Sequence, residues 1–261
     1  MPDVVILGCG YTGKRVAQRL LNRGVRVSAT ARTRSSLDDL ARLGANLQAL
    51  DIGQPGSVAI PNGALVLHSI PGIAPPLRTI LAGYPRRVVY LSTTGIYGAT
   101  RDVDENTPPA PDTESAKARL SVEEELQAGY WSTLILRPAA IYGPGRGIHV
   151  SMRESRFQLA GDGDNFVSRI HVDDLAAHAE AALFSDVTGA YPVGDDLPCT
   201  SREIAAYCAE LLRLPMPPSV PLDTLHETRR ADRRVDGTAI RSRLQITLQY
   251  PTYREGLPAS L

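Results

Sequence analysis

The sequence predicts an α/β fold, a doubly wound parallel sheet with a small C-terminal lobe. Three observations carry this expectation. Short apolar runs alternate with helical patterns through the first half of the 261-residue chain, as in consecutive βαβ units. A glycine cluster, Gly8, Gly10 and Gly13, stands between the first apolar run and the first helical pattern. From about residue 143 the rhythm breaks into a loop-rich stretch and returns only in places.

Val4-Val5-Ile6-Leu7 is apolar at every position, so it reads as a strand buried on both faces. Residues 13–23 place Val16, Ala17, Leu20 and Leu21 at helical spacing, and Gly24 stops that helix. Residues 25–30 read as a second strand, 35–43 as a helix closed by Gly44, and 47–50 as a third strand ending at Asp51. Residues 64–68, 87–92 and 133–136 follow as strands four to six. Beyond the break, 166–172 reads as a strand and 174–184 as a helix. Tyr191-Pro192-Val193 precedes a helix that starts at Thr200 or Ser201, with Glu203 in its first turn, and runs to Leu212. A proline-rich passage, 215–221, comes next. One domain over 1–261 is expected, its lobe built from about 143–165 and 190–261 and folded over the open edge of the sheet.

Charge narrows the partners. The 28 basic residues balance 28 acidic ones, which argues against duplex nucleic acid or an anionic membrane held by bulk electrostatics. Only Lys14 and Lys117 are lysines, and arginine suits bidentate recognition of phosphate and carboxylate. No apolar run approaches the roughly 18 residues of a membrane helix. Cys9, Cys199 and Cys208 are too scattered for a disulfide framework or a zinc site. With no signal-like N-terminal segment, a reducing cytoplasm is the expected location.

Gly8-Cys9-Gly10-Tyr11-Thr12-Gly13 is a G-x-G-x-x-G at a strand-to-helix junction. There the first glycine permits the turn, the second lets backbone approach a pyrophosphate, and the third lets helix and strand pack closely. This points to a Rossmann-type dinucleotide site with residues 8, 10, 11, 12 and 13 at the phosphates. The same stretch nearly fits G-x-x-x-x-G-K, but Arg15 replaces the hydroxyl that a P-loop uses on Mg²⁺. After the second strand comes Ala31-Arg32-Thr33-Arg34, with no acid until Asp38. Arg32, with Thr33 or Arg34 beside it, can pair with a 2′-phosphate, which favours NADP over NAD. Asp51 is placed to contact the adenine, and Ser69-Ile70-Pro71 to line the nicotinamide-side ribose.

Three later segments carry a family resemblance. Leu91-Ser92-Thr93-Thr94-Gly95-Ile96-Tyr97-Gly98 resembles the S-S-x-x-V-Y-G strand end of the extended short-chain dehydrogenases/reductases, the NAD(P)-dependent epimerase/dehydratase group. Leu136-Arg137-Pro138 with Ile141-Tyr142-Gly143-Pro144-Gly145 resembles its L-R-P…V-Y-G-P-G segment, and Arg169-Ile170-His171-Val172-Asp173-Asp174-Leu175 its I-H-V-x-D-L segment. With the glycine loop, the resemblance spans essentially the whole chain, in order. It implies a nucleotide-sugar or related small-molecule substrate, hydride transfer at the nicotinamide, and a homodimer.

The family's chemistry uses a Tyr-x-x-x-Lys pair and a Ser or Thr from the strand end. Thr93 matches the latter, but residues 99–128 contain no tyrosine. Aligning Arg119-Leu120-Ser121-Val122-Glu123-Glu124-Glu125 on the family's K-x-x-x-E-E run puts Arg119 at the lysine and Ser115 at the tyrosine. Aligning on Lys117 puts Thr113 there instead. A serine or threonine hydroxyl is a poor proton relay near neutral pH, so an altered active site is expected. Tyr97 is one substitute phenol. Thr94 and Tyr142 are further expected on the substrate side, with Arg146, Asn165 and Arg169, around the lobe junction, expected to hold an anionic substrate group such as a diphosphate. His171 and His68 read as hydrogen-bonded core histidines, His68 also placed to touch the cofactor, the arginine cluster at 229–234 as a surface patch or substrate clamp, and 121–126 as the exposed face of a helix. Two functions follow: an NADP-dependent enzyme, or a catalytically inactive NADP-binding sensor. A closed polar cavity around Thr93, Arg146 and Arg169 favours the first, and one plugged by side chains the second.

Overall fold

Val4, Val5, Ile6 and Leu7 are fully buried because the strand they form lies inside a sheet covered on both faces. The computed structural model describes residues 2–49, 58–70, 81–225 and 231–261. Its sheet contains β1 (Val4–Leu7), β2 (Val27–Ala31), β3 (Asn46–Ala49), β4 (Leu65–His68), β5 (Arg87–Leu91), β6 (Ser132–Pro138) and β7 (Gly189–Val193). Their order across it is β3-β2-β1-β4-β5-β6-β7, and every pairing is parallel. Strand order reverses between β1 and β4, so the crevice beyond their carboxyl ends is the place where such sheets bind ligands.

Alternate side chains of β1 feed two cores. Val4 and Ile6 pack with Val16, Ala17 and Leu20 of α1 (Tyr11–Asn22) and with Leu175 and Ala179 of α5 (Val172–Leu183). Val5 and Leu7 pack on the opposite face with Tyr90 and with Val122 and Leu126 of α3 (Glu114–Gln127). Each fully buried Val, Leu or Ile among them contributes roughly 1.5–3 kcal/mol. The predicted 35–43 helix is a 3₁₀ turn, Arg34–Leu37, followed by α2 (Asp38–Arg42). The first helix begins at Tyr11, two residues before the spacing of its apolar face suggests, because Gly10 serves as its N-cap.

The expected strand over 166–172 divides at Ser168. Phe166–Val167 pairs antiparallel with Cys199–Thr200, whereas Arg169–His171 pairs parallel with Ala140–Tyr142. The Ser168 hydroxyl fills the break, accepting from Val235 N at 2.8 Å and donating to Arg233 O at 3.3 Å. Val172 then opens α5, capped by the His171 ring. Residues 189–193, grouped with the lobe by sequence, complete the sheet as β7.

The C-terminal lobe has its own apolar centre. Tyr142 and Met152 of α4 (Ile148–Arg153) meet Ile204, Cys208 and Ala209 of α6 (Ser201–Leu212), and Tyr253 of α8 (Tyr253–Gly256). Thr200 is the N-cap of α6 and exchanges hydrogen bonds with Glu203, a capping box. The helix α7 (Thr238–Leu244) ties this region to β7 and α5. Among the described residues, no helix is long and apolar enough to cross a membrane.

Candidate active site

The glycine loop turns where β1 ends. Gly8 has φ +84°, a conformation that favours glycine, and a Cβ there would lie 2.7 Å from the Ile70 side chain. Its N–H donates to Thr30 Oγ1 at 3.0 Å, and Ser69 Oγ donates to its carbonyl at 2.6 Å. A Cβ on Gly13 would meet Gly8 O at 2.7 Å, which is the close helix–strand contact that the third glycine allows. Gly10 differs: none of the described residues lies within 4 Å of where its Cβ would be. No side chain caps the N-terminus of α1. Free amides and open space at that point fit a dinucleotide pyrophosphate.

From this loop a cleft of about 1100 Å³ runs toward the C-terminal lobe. Gly10, Tyr11, Thr12 and Ser69 line one end. Ser92, Thr93 and Thr94, released at the carboxyl end of β5, line its middle together with Arg119. Thr93 Oγ1 accepts from Gly95 N at 3.1 Å, starting a 3₁₀ turn, and Ser92 Oγ is buried without a protein partner. Arg119 reaches across from α3 and donates to Tyr90 Oη at 3.2 Å and to Leu91 O at 3.4 Å. Arg146 stands beside Tyr11 at the glycine-loop end, and Phe166, Asp232 and Arg233 come from the lobe.

The two registers on α3 now have positions. Arg119 lines the cleft, whereas Lys117 is exposed and paired with Glu114 at 2.8 Å. Ser115 is exposed and lies outside the cleft lining; Thr113, the N-cap of α3, lines it, with its hydroxyl accepting from Ala116 N. Tyr97 is fully buried, takes a hydrogen bond from Arg137 Nη1 at 3.0 Å, and does not line the cleft. Burial pushes its phenol up, partly offset by Arg137.

The substrate-side residues divide in the same way. Thr94 and Arg146 are in the cleft. Tyr142 is in the lobe core, its hydroxyl 3.4 Å from Thr252 O and its pKa raised by burial. Arg169 is buried against Cys199 Sγ at 2.9 Å and the Tyr253 ring, and Asn165 donates to Ala231 O at 2.9 Å. These three are outside the lining. Arg32, Thr33 and Arg34 are exposed just past β2, and neither arginine has a hydrogen-bond or ion-pair partner through its side chain among the described residues. Asp51, Pro71, Arg229 and Arg230 fall outside the described residues.

Other residues carry weight that motif reading missed. Arg101 pairs with Asp232 at 3.2 Å, and both line the cleft. Arg234 lies 3.6 Å from the Phe166 ring centroid. Arg233 donates to Thr100 O and Gly98 O, and burial lowers its pKa. The Arg233–Arg234 pair was legible only as a charge cluster, because its partners are more than 60 residues away in sequence. The 121–126 run is not wholly an exposed face: Glu123 is buried and bonded by Arg137 at 2.6 Å. His171 is a core histidine as read; its Nδ1 accepts from Asp173 N. His68 is buried and stacked on Tyr90, outside the lining.

Residues 77–194, which contain β5, α3, β6 and the Gly143–Gly147 loop, match the NAD dependent epimerase/dehydratase family. That segment of the chain belongs to this family. Protein YeeZ of Escherichia coli (strain K12) is 27% identical over 203 residues, 67% of this chain and 70% of that one. A conserved protein of unknown function from Silicibacter pomeroyi DSS superposes with a TM-score of 0.86 at 31% identity, over 99% of this chain and 98% of its own. The UDP-glucuronic acid 4-epimerase of Bacillus cereus, solved with UDP-glucuronic acid and NAD, shares the fold at a TM-score of 0.79 and 18% identity, with 99% and 97% covered. The epimerase/dehydratase segment supplies the middle of the cleft, and the glycine loop lies before it.

Proposed function

We propose that this chain is an NADP-dependent oxidoreductase or epimerase-like enzyme acting on a nucleotide sugar or a related anionic small molecule. The single observation that carries the reading is the open cleft that joins the glycine loop to Thr93, Arg119 and Arg146. A nicotinamide dinucleotide, when bound, supplies or accepts hydride. The backbone amides at the start of α1, those of Tyr11 and Thr12 among them, hold its phosphates. Arg32, Thr33 and Arg34 hold the 2′-phosphate, and Ser69 and Ile70 face the nicotinamide-side ribose. Thr93 orients the substrate oxygen, and Arg119 supplies fixed positive charge in the place of the family's lysine. Arg119 and Arg146 have no carboxylate partner within salt-bridge distance among the described residues, so they favour an anionic substrate group. The epimerase from Bacillus cereus, which binds UDP-glucuronic acid and NAD, supports this substrate class by likeness of fold. A cytoplasmic homodimer belongs to the same proposal.

One observation favours a second reading. With Ser115 exposed and Tyr97 buried, neither stands in the cleft as a proton relay. A protein that binds NADP without turnover and reports it to a partner is consistent with that geometry. Fluorescence titration with NADPH and NADH, followed by a sugar-nucleotide turnover screen, separates the readings. NADPH is expected to bind at least about tenfold tighter, a difference of 1.4 kcal/mol; equal affinities would remove the argument from Arg32. Binding without turnover on any sugar nucleotide would favour the sensor.

A further inference from the structure

Tyr11 occupies the first helical position of α1, yet its side chain belongs to another part of the chain. Its hydroxyl donates to Pro144 O at 3.0 Å, across 133 residues of sequence. The guanidinium of Arg15 lies 4.4 Å from its ring centroid, and that of Arg146 lies 5.3 Å away. Arg15 is itself held in place, bonded to Asp173 at 2.9 Å and to Tyr11 O at 3.1 Å. The loop on the other side is equally ordered. Gly143 N donates to Arg146 O at 2.9 Å, and Arg146 N returns a bond to Gly143 O at 3.0 Å. Gly143 has φ +152°, and a Cβ there would lie 2.7 Å from Tyr11 Oη, so the two segments approach as closely as glycine allows. Tyr11 and Arg146 both line the cleft, side by side at its glycine-loop end.

We propose that Tyr11 is a latch: its bond to Pro144 closes the 143–147 loop against the dinucleotide half of the cleft, and cofactor exchange requires that bond to open. The inference rests on the glycine loop being the dinucleotide site. It assigns Tyr11 a positioning role, because the same contact sets where Arg146 stands relative to the cleft. The hydroxyl does the latching, and the ring maintains the packing with both arginines.

Tyr11→Phe separates these two contributions, since it keeps the ring and removes only the hydroxyl. Stopped-flow measurement of NADPH release, by chase with excess unlabelled NADP, reads the latch directly. The variant is expected to release NADPH about 3- to 10-fold faster than wild type, the range for loss of one neutral hydrogen bond, with Tm nearly unchanged. An unchanged release rate, with or without a lowered Tm, would overturn the latch. Should the variant not fold, amide exchange in the wild-type protein decides. NADPH is expected to slow exchange at Gly143 and Arg146, and equal exchange with and without it would overturn the proposal. Failure of wild type to bind NADPH or NADH at all is a different result, which removes the dinucleotide reading itself.

Discussion

Gly10 and Gly13 share a motif but are glycines for different physical reasons. A methyl on Gly13 would press on Gly8 O at 2.7 Å, whereas one on Gly10 would meet no atom of the described residues within 4 Å. Gly13→Ala is therefore a folding lesion, and Gly10→Ala should obstruct only what binds there. We expect Gly10→Ala to change stability by less than about 1 kcal/mol while weakening NADPH binding at least tenfold. Thermal melts and a fluorescence titration on the same sample check this. Equal binding by the variant would remove the pyrophosphate from the α1 N-terminus. Arg119 was legible through the resemblance, by alignment on the family's K-x-x-x-E-E run, and it lines the cleft.

Elements are joined by buried polar groups that the sequence does not pair. Arg137, near the end of β6, donates to both oxygens of Glu123 on α3 and to Tyr97 Oη. With Glu123 fully enclosed, removal of its charge leaves the guanidinium uncompensated. Glu123→Gln is expected to cost about 3–5 kcal/mol, and Tyr97→Phe only about 1 kcal/mol, as read by denaturant unfolding. Similar losses in both variants would mean that the ion pair is not the dominant contact. A comparable role falls to Arg87, whose buried guanidinium donates to Ala182 O at the end of α5 and to Ser132 Oγ at 2.7 Å each. Such pairs escape sequence reading because they depend on which helix lies over which strand.

At the scale of the whole molecule, buried titratable groups set the response to pH. Burial pushes His68 down to about 3 and His171 and His178 to about 4. Below pH 6.5 the unfolded chain protonates these rings while the folded chain does not, so their contribution is lost as pH falls toward 4. Asp195 acts in the opposite sense: burial raises its carboxyl to about 7, so it favours the folded state more as pH falls from 7 to 4. Burial raises Asp174 as well. Three lowered histidines outweigh these carboxyls, and Tm is expected to fall between pH 6.5 and 4.5. His178→Leu should make that fall shallower. Asp195→Asn should make it steeper and raise Tm at pH 8. A melting temperature that is flat from pH 8 to 4.5 in all three proteins would contradict this assignment.

The sequence by itself determined the sheet, the glycine loop and the family segment. Each of these is a local pattern: uniform apolar runs, helical spacing, and glycines at fixed offsets from a strand end. Tertiary structure alone decided which residues share the cleft. Thr113, Arg101, Phe166 and Asp232 enter it, while Ser115, Tyr97, Tyr142, Asn165 and Arg169 stay outside. The reason is geometric. Which side chains face the cleft depends on contacts between residues far apart in the chain, such as the pair Arg101–Asp232. The contact between Tyr11 and Pro144 is of the same kind, a single hydrogen bond that joins the first helix to a loop more than 130 residues later.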